Sequence, residues 1–267
     1  MKQPTYFISH GGGPWPYMSG PMRDAHTTLE AALRDMPKQL SSPPKAVLMI
    51  SAHWEEPEFT VTGHPHPGMI YDYGGFPPNT YQVHYRAPGS PALARRVQVL
   101  AQAAGARCGI DAERGFDHGM FAPMVVIYPD ADVPVVQFSM KQGYDPQAHI
   151  ALGQALAPLR DEGVLIIGSG LSVHNMRLRG PAAQSSTKTF DTWLSQTLLD
   201  TPPEERERRL VHWADAPAAR LAHPQEDHLL PLMVAVGAAR DDRATRVYHE
   251  EEFMGGAVVS SFRFDAS

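Results

Sequence analysis

Short runs without a single charged side chain recur along this chain, each too short to make a helix. Thr5 to Ser9, Ala46 to Ala52, Val133 to Ser139 and Val164 to Gly168 are of this kind. Such runs read as strands buried on both faces. Phe59 to Thr62 predicts one more strand, and Thr245 to His249 and Ala257 to Phe264 predict a closing pair. Between the runs lie stretches of helical period: Met22 to Met36, Ser90 to Ala104, Asp145 to Arg160, Phe190 to Leu199, Glu204 to Trp213 and Glu226 to Arg240. Ser90 and Asp145 stand as N-caps with Pro91 and Pro146 behind them, and Pro231 sits near the start of the last helix. The alternation predicts an α/β fold: a central, mostly buried mixed sheet flanked by helices on both faces.

A chain of 267 residues suffices for one sizeable domain, and no repeat or linker divides it, so residues 1–267 are expected to form a single domain. Cys108 is the only cysteine, which excludes an intrachain disulfide and a thiolate-rich metal site. No apolar run reaches the roughly 20 residues needed to cross a bilayer, and the start lacks a signal peptide's apolar stretch. These features predict a cytoplasmic protein without a membrane partner. The net charge of −6 and the absence of a long basic run argue against nucleic acid.

In folds of this class ligands gather beyond the C-terminal ends of strands. Three of the 13 histidines stand there: His10 after the first strand, His53 after the second, and His174 beyond Val164 to Gly168. His228 comes from a helix start, Glu226-Asp227-His228, and His118 from Phe116-Asp117-His118-Gly119. Neutral imidazole is the commonest protein ligand for first-row divalent metals. A lone histidine is more often a surface or hydrogen-bonded structural residue. His26, His149, His212 and His249 are read as surface, and His64 and His66 as a loop that could rim a site. Trp54, Tyr73 and Phe76 could wall an aromatic pocket or pack in the core. Tyr17 could reach the site from the glycine loop. Arg177 and Arg179 read as solvated, or as receivers of a substrate carboxylate.

Eight segments in order resemble the class III (LigB-type) extradiol ring-cleaving dioxygenases, in particular the DOPA-dioxygenase subgroup. They are Ser9-His10-Gly11, Ser51-Ala52-His53-Trp54, Tyr71 to Pro77, His84 to Pro91, Gly115 to Gly119, Pro129 to Pro134, Ser169-Gly170 with Val173-His174-Asn175, and Pro224 with Glu226 to Leu232. The resemblance implies metal ligands at His10, His53 and His228. It implies an active-site histidine at His174, close to the metal, and a substrate-orienting one at His118. It implies Fe(II) for activity, with Zn(II) possible in the same site. The reaction implied is O2 insertion into a catechol ring, DOPA-like or related, beside its two hydroxyls, giving a ring-opened semialdehyde. The small-molecule partners are then a catechol and O2. Two departures stand out. The wider class binds iron with two histidines and a glutamate, whereas here the third position falls on His228. The family's glycine-serine after the first histidine is here Gly11-Gly12-Gly13.

Two other readings use the same residues. A non-catalytic metal- or protein-binding module on this fold would leave the histidines vestigial. A serine hydrolase would use His10-Gly11-Gly12-Gly13 as an oxyanion loop and Gly170-Leu171-Ser172-Val173-His174 as a nucleophile elbow. That elbow lacks its final glycine, whose place His174 takes.

Overall fold

The computed structural model describes residues 1–178 and 180–265, the side chain of residue 182 excepted. Eight strands form one sheet: β1 (Thr5–Ser9), β2 (Ala46–Glu56), β3 (Phe59–Thr62), β4 (Cys108–Asp111), β5 (Val135–Lys141), β6 (Val164–Gly170), β7 (Arg243–Phe253) and β8 (Ala257–Asp265). Their order is β4-β3-β5-β2-β6-β1-β8-β7. The four central strands β5, β2, β6 and β1 run parallel, so their C-terminal ends share one edge. β8 is antiparallel to β1 and β7 to β8, while β3 is antiparallel to β5 and carries β4 parallel to it. The sheet is mixed, as the runs predict.

The helices are α1 (Pro21–Asp24), α2 (Thr27–Asp35), α3 (Pro91–Ala103), α4 (His118–Ile127), α5 (Pro146–Leu156), α6 (Pro158–Asp161), α7 (Gly180–Leu199), α8 (Pro203–Val211), α9 (Ala219–Ala222) and α10 (Leu230–Ala239). Ser90 and Asp145 cap as predicted, accepting from Leu93 N at 3.3 Å and Gln147 N at 2.9 Å. α10 is buried along its whole length and packs on α5 and on the central strands. Where α10 and the turn before it cross β6, the strand has no side chains to hold them off. A Cβ on Gly168 would stand 2.3 Å from the carbonyl oxygen of Pro231, and one on Gly170 would stand 2.1 Å from that of His228. Main chain therefore lies directly on main chain, and Leu171 N donates to His228 O at 3.0 Å.

Several boundaries differ from the pattern for identifiable reasons. β2 runs on to Glu56, so His53 lies inside it and not beyond it. The helix predicted over Asp145 to Arg160 divides into α5 and α6, with Pro158 opening the second piece. The last helix begins at Leu230, and Glu226 to Leu229 form a turn ahead of it. β4 and α4 are additions. Nine of the ten α4 residues are buried, and a helix wrapped in core has no polar face to reveal its period.

Two histidines read as surface are core residues. His26 breaks the stretch from Met22 to Met36 into α1 and α2 by turning inward; its Nδ1 meets Met22 O at 2.8 Å and its Nε2 accepts from Gly12 N at 3.0 Å. His149 is equally buried, with Nδ1 on Asp145 O at 2.7 Å and Nε2 accepting from Lys141 N at 3.2 Å. Both imidazoles satisfy both nitrogens, the condition on which a polar ring is tolerated inside. His212 is exposed as predicted, while His249 is half-buried beside Ser260 Oγ. Among the described residues, no helix is long and apolar enough to cross a membrane.

Candidate active site

His10 leaves β1 at its C-terminal end. Its N–H donates to Gly170 O at 3.1 Å, and its carbonyl accepts from the buried Trp15 indole at 2.8 Å, so the residue is held at both backbone ends. Its Nδ1 lies 2.9 Å from Gly11 O. A carbonyl accepts only, so Nδ1 carries the hydrogen and Nε2 presents a lone pair.

His53 sits where β2 loosens. β2 pairs with β6 up to Ser51, and its register with β5 shifts between Ile50 and Glu55. Irregularities of this kind re-aim side chains beside active sites. Ser51 fixes the turn, its hydroxyl accepting from His53 N at 3.1 Å and donating to the buried Asp117 at 2.7 Å. The Nδ1 of His53 faces Asp72 Oδ2 at 3.4 Å. His228 is delivered by the turn that rests on Gly170, and its Nδ1 meets Asp227 Oδ2 at 2.8 Å.

The three rings converge. Their centroids stand 4.9 Å (His10 to His53), 5.2 Å (His10 to His228) and 4.9 Å (His53 to His228) apart. Each offers a ring nitrogen, and these nitrogens all lie within 4.8 Å of one another. The Nε2 atoms of all three are buried without a hydrogen-bond partner. Leaving one buried polar atom unpaired costs about 1–3 kcal/mol. Three such atoms facing one another fit a shared cation, and the Nδ1 partners are the supports that metal-binding imidazoles use. Burial, reinforced by the neighbouring imidazoles, holds His10 and His228 well below the usual histidine range. Burial and then His118 lower His53 to about 3, against the pull of Asp72. All three are neutral at pH 7, the form that ligates.

His118 opens α4, beside this set. Its N–H donates to Asp72 Oδ1 at 3.0 Å, and its Nδ1 approaches the same oxygen at 2.9 Å, out of good alignment. Its ring centroid is 3.9 Å from that of His53. His174 lies on the other side, stacked on His228 at 3.4 Å between centroids and 18° between planes. Burial, then His118, lowers its pKa to about 4, so it too is a neutral proton acceptor. All five rings line one cavity of about 250 Å³.

Tyr73 and Phe76 wall that cavity. Trp54 does not: it is core, its indole donating to Glu56 at 2.8 Å and its ring covered by the Arg114 guanidinium. Tyr17 packs on Phe121, and neither it nor His64 nor His66 is among the lining residues. Arg177 is exposed, and Arg179 lies outside the described residues. The Ser172 of the hydrolase reading is fully buried, its hydroxyl accepting from Ser260 N at 2.8 Å, so it is no accessible nucleophile. Asp72 is the residue that motif reading did not single out. It stands within Tyr71 to Pro77, yet only the fold shows that its carboxylate serves two histidines 19 and 46 positions away.

The family description "catalytic LigB subunit of aromatic ring-opening dioxygenase" matches residues 4–260. The chain belongs to the LigB family. LigB enzymes are metal-dependent, and the convergent imidazoles give this member a place for the ion. The 4,5-DOPA dioxygenase extradiol of Beta vulgaris is 39% identical, over 98% of this chain and 97% of that protein. The protein of the same name from Escherichia coli (strain K12) is 35% identical, over 89% of this chain and 85% of that one. The crystal structure of an uncharacterized protein from Escherichia coli K12 superposes with a TM-score of 0.77 at 29% identity, covering 99% of this chain and all of that one. This LigB member is thus an extradiol ring-cleaving dioxygenase, and the hydrolase and non-catalytic readings fall away.

Proposed function

We propose that this enzyme opens a catechol with O2 at an iron(II) ion held by His10, His53 and His228. One observation carries the ligand assignment: three buried Nε2 atoms that face one another without partners, each ring bearing an acceptor on its far side. Neutral imidazoles suit both iron and zinc, but zinc has no redox chemistry, so activity belongs to iron(II) and zinc is a competitor for the same nitrogens. An iron(II) ion held by these three residues would supply redox-active Lewis-acid chemistry.

The remaining chemistry belongs to the chain. His174, neutral at pH 7, accepts a proton from a catechol hydroxyl and returns it as the ring opens. Its stacking on His228 keeps it beside the ligand set. His118, held by Asp72, borders the cavity opposite and orients the ring. The apolar cavity wall excludes water from the reacting centre. Residues 1–267 act as a single domain, supported by the continuous sheet that joins first strand to last.

Loading the protein with Fe(II) without O2, then adding O2 and each of several catechols in an oxygen electrode, tests the reading. Equimolar consumption of O2 and catechol with a yellow ring-opened product is expected. Failure of every catechol to raise O2 uptake above that of the metal-free protein would overturn it.

A further inference from the structure

The part of the cavity away from the histidines is built almost entirely of hydrocarbon and thioether. Met22, Phe76, Met176, Phe253, Met254 and Ala257 line it, and among the described lining residues there is no Lys, Arg, Asp or Glu. The polar side chains that do border it are already committed. Tyr73 OH donates to Thr80 O at 2.6 Å. Thr187 Oγ1 donates to Ala183 O and accepts from Val258 N. Asn175 donates to Leu221 O and accepts from Arg177 N. The buried ring nitrogens without partners belong to the imidazoles, whose rings cluster together.

The glycine loop is what lets this wall close in. A Cβ on Gly13 would meet the Phe76 ring at 2.6 Å, and one on Gly12 would meet Met254 at 2.9 Å and Met22 at 3.1 Å. Bare backbone at these two positions admits the aromatic ring and the two methionines where longer residues would hold them out. Met side chains adapt to irregular apolar partners. At about 250 Å³ the space is small beside ligand pockets of roughly 300–1,000 Å³, which suits one ring and a short substituent.

We propose that the preferred substrate is a catechol whose ring substituent is short, uncharged and apolar, and that Phe76, Met22 and Met254, seated on Gly12 and Gly13, select for it. This rests on the catechol reading above and names the substrate class. A carboxylate or ammonium on the substituent meets the half-buried Met22, Phe76 and Met254 with no counter-charge among the described residues, and gives up part of its hydration there without a partner to replace it. A methylene entering the same wall gains roughly fourfold in affinity.

The test is a binding series with the metal-loaded protein in the absence of O2, read by calorimetric titration, so that it does not depend on turnover. The ligands are 4-methylcatechol, 4-propylcatechol, 3-(3,4-dihydroxyphenyl)propanoate and DOPA. 4-Propylcatechol is expected to bind about tenfold more tightly than 4-methylcatechol, and at least about tenfold more tightly than the propanoate and DOPA. The Phe76→Ala and Met254→Ala forms are expected to narrow the gap between the two alkylcatechols. Equal or tighter binding of the propanoate or DOPA overturns the proposal. So does propanoate affinity that vanishes in an Arg177→Ala/Arg179→Ala double variant, since a cation would then serve the substituent. The same ligands given O2 report separately on the catechol reading: the affinity order decides the substituent, and ring opening decides the reaction.

Discussion

Removing the carboxylate that backs the third imidazole puts the metal site to a quantitative test. Asp227 Oδ2 accepts from His228 Nδ1 at 2.8 Å, which fixes the ring's orientation and leaves Nε2 as the lone-pair nitrogen. Hydrogen bonds to charged groups contribute about 1.5–3 kcal/mol, and loss of such a support typically weakens metal binding about 10–100-fold. The Asp227 side chain is 21% exposed, so solvent screens part of the interaction and places the effect in the lower half of that range. Asp227→Ala is therefore expected to raise the metal Kd about 10–30-fold, close to 1.4–2 kcal/mol. Asp227→Asn keeps an oxygen acceptor and should lose less than about tenfold. Competition against a chromophoric chelator measures each Kd, and circular dichroism melting checks the fold. The fold should hold, because Asp227 Oδ1 is itself buried without a partner and its removal relieves a cost. If Asp227→Ala binds metal within twofold of the parent while His228→Ala abolishes binding, the orientation argument is refuted.

His10→Ala or His53→Ala should abolish stoichiometric metal, whereas His174→Ala should retain it and lose about 10²–10⁴-fold in turnover; full activity in the last would remove His174 from its role. Gly170→Ala places a methyl 2.1 Å from the His228 carbonyl, so both metal content and melting temperature should fall, and a variant unchanged in both contradicts the packing described. His149, lowered to about 4 chiefly by burial, binds its proton more readily in the unfolded chain than in the folded one. Its contribution is therefore present above about pH 6.5 and is lost as pH falls toward 4, by about 3 kcal/mol at 1.36 kcal/mol per unit. The gap between the denaturant midpoints at pH 7 and 4.5 should narrow in His149→Gln, the other buried imidazoles keeping the rest of it, and equal acid sensitivity in the two proteins would rule the assignment out.

The central strands were legible because they are buried on both faces, and Thr5–Ser9 and Phe59–Thr62 fall where their side chains predict. The edge strand β4 escaped notice, since Cys-Gly-Ile-Asp has neither alternation nor an apolar run. Helix α4 escaped for the opposite reason, being apolar all round. Position along the strands brought out His10, His53 and His174, and the ordered motifs added His118 and His228. His26 and His149 misled because a histidine on a helical stretch looks solvated until the partners of both ring nitrogens are known. Asp72 needed the fold itself, as no spacing along the chain ties it to His53 and His118.

The crossing of the His228 turn over Gly170 bears on how such an enzyme is made. During synthesis the first two imidazoles leave the ribosome early, together with the strands that carry them. The third follows only when most of the polypeptide has emerged, and it reaches its place only as its turn settles onto the glycines of β6. Of the three proposed ligands, a nascent chain thus carries two until that turn arrives. The proposed site is completed only as that turn docks, and a product terminated before residue 228 would lack its third nitrogen.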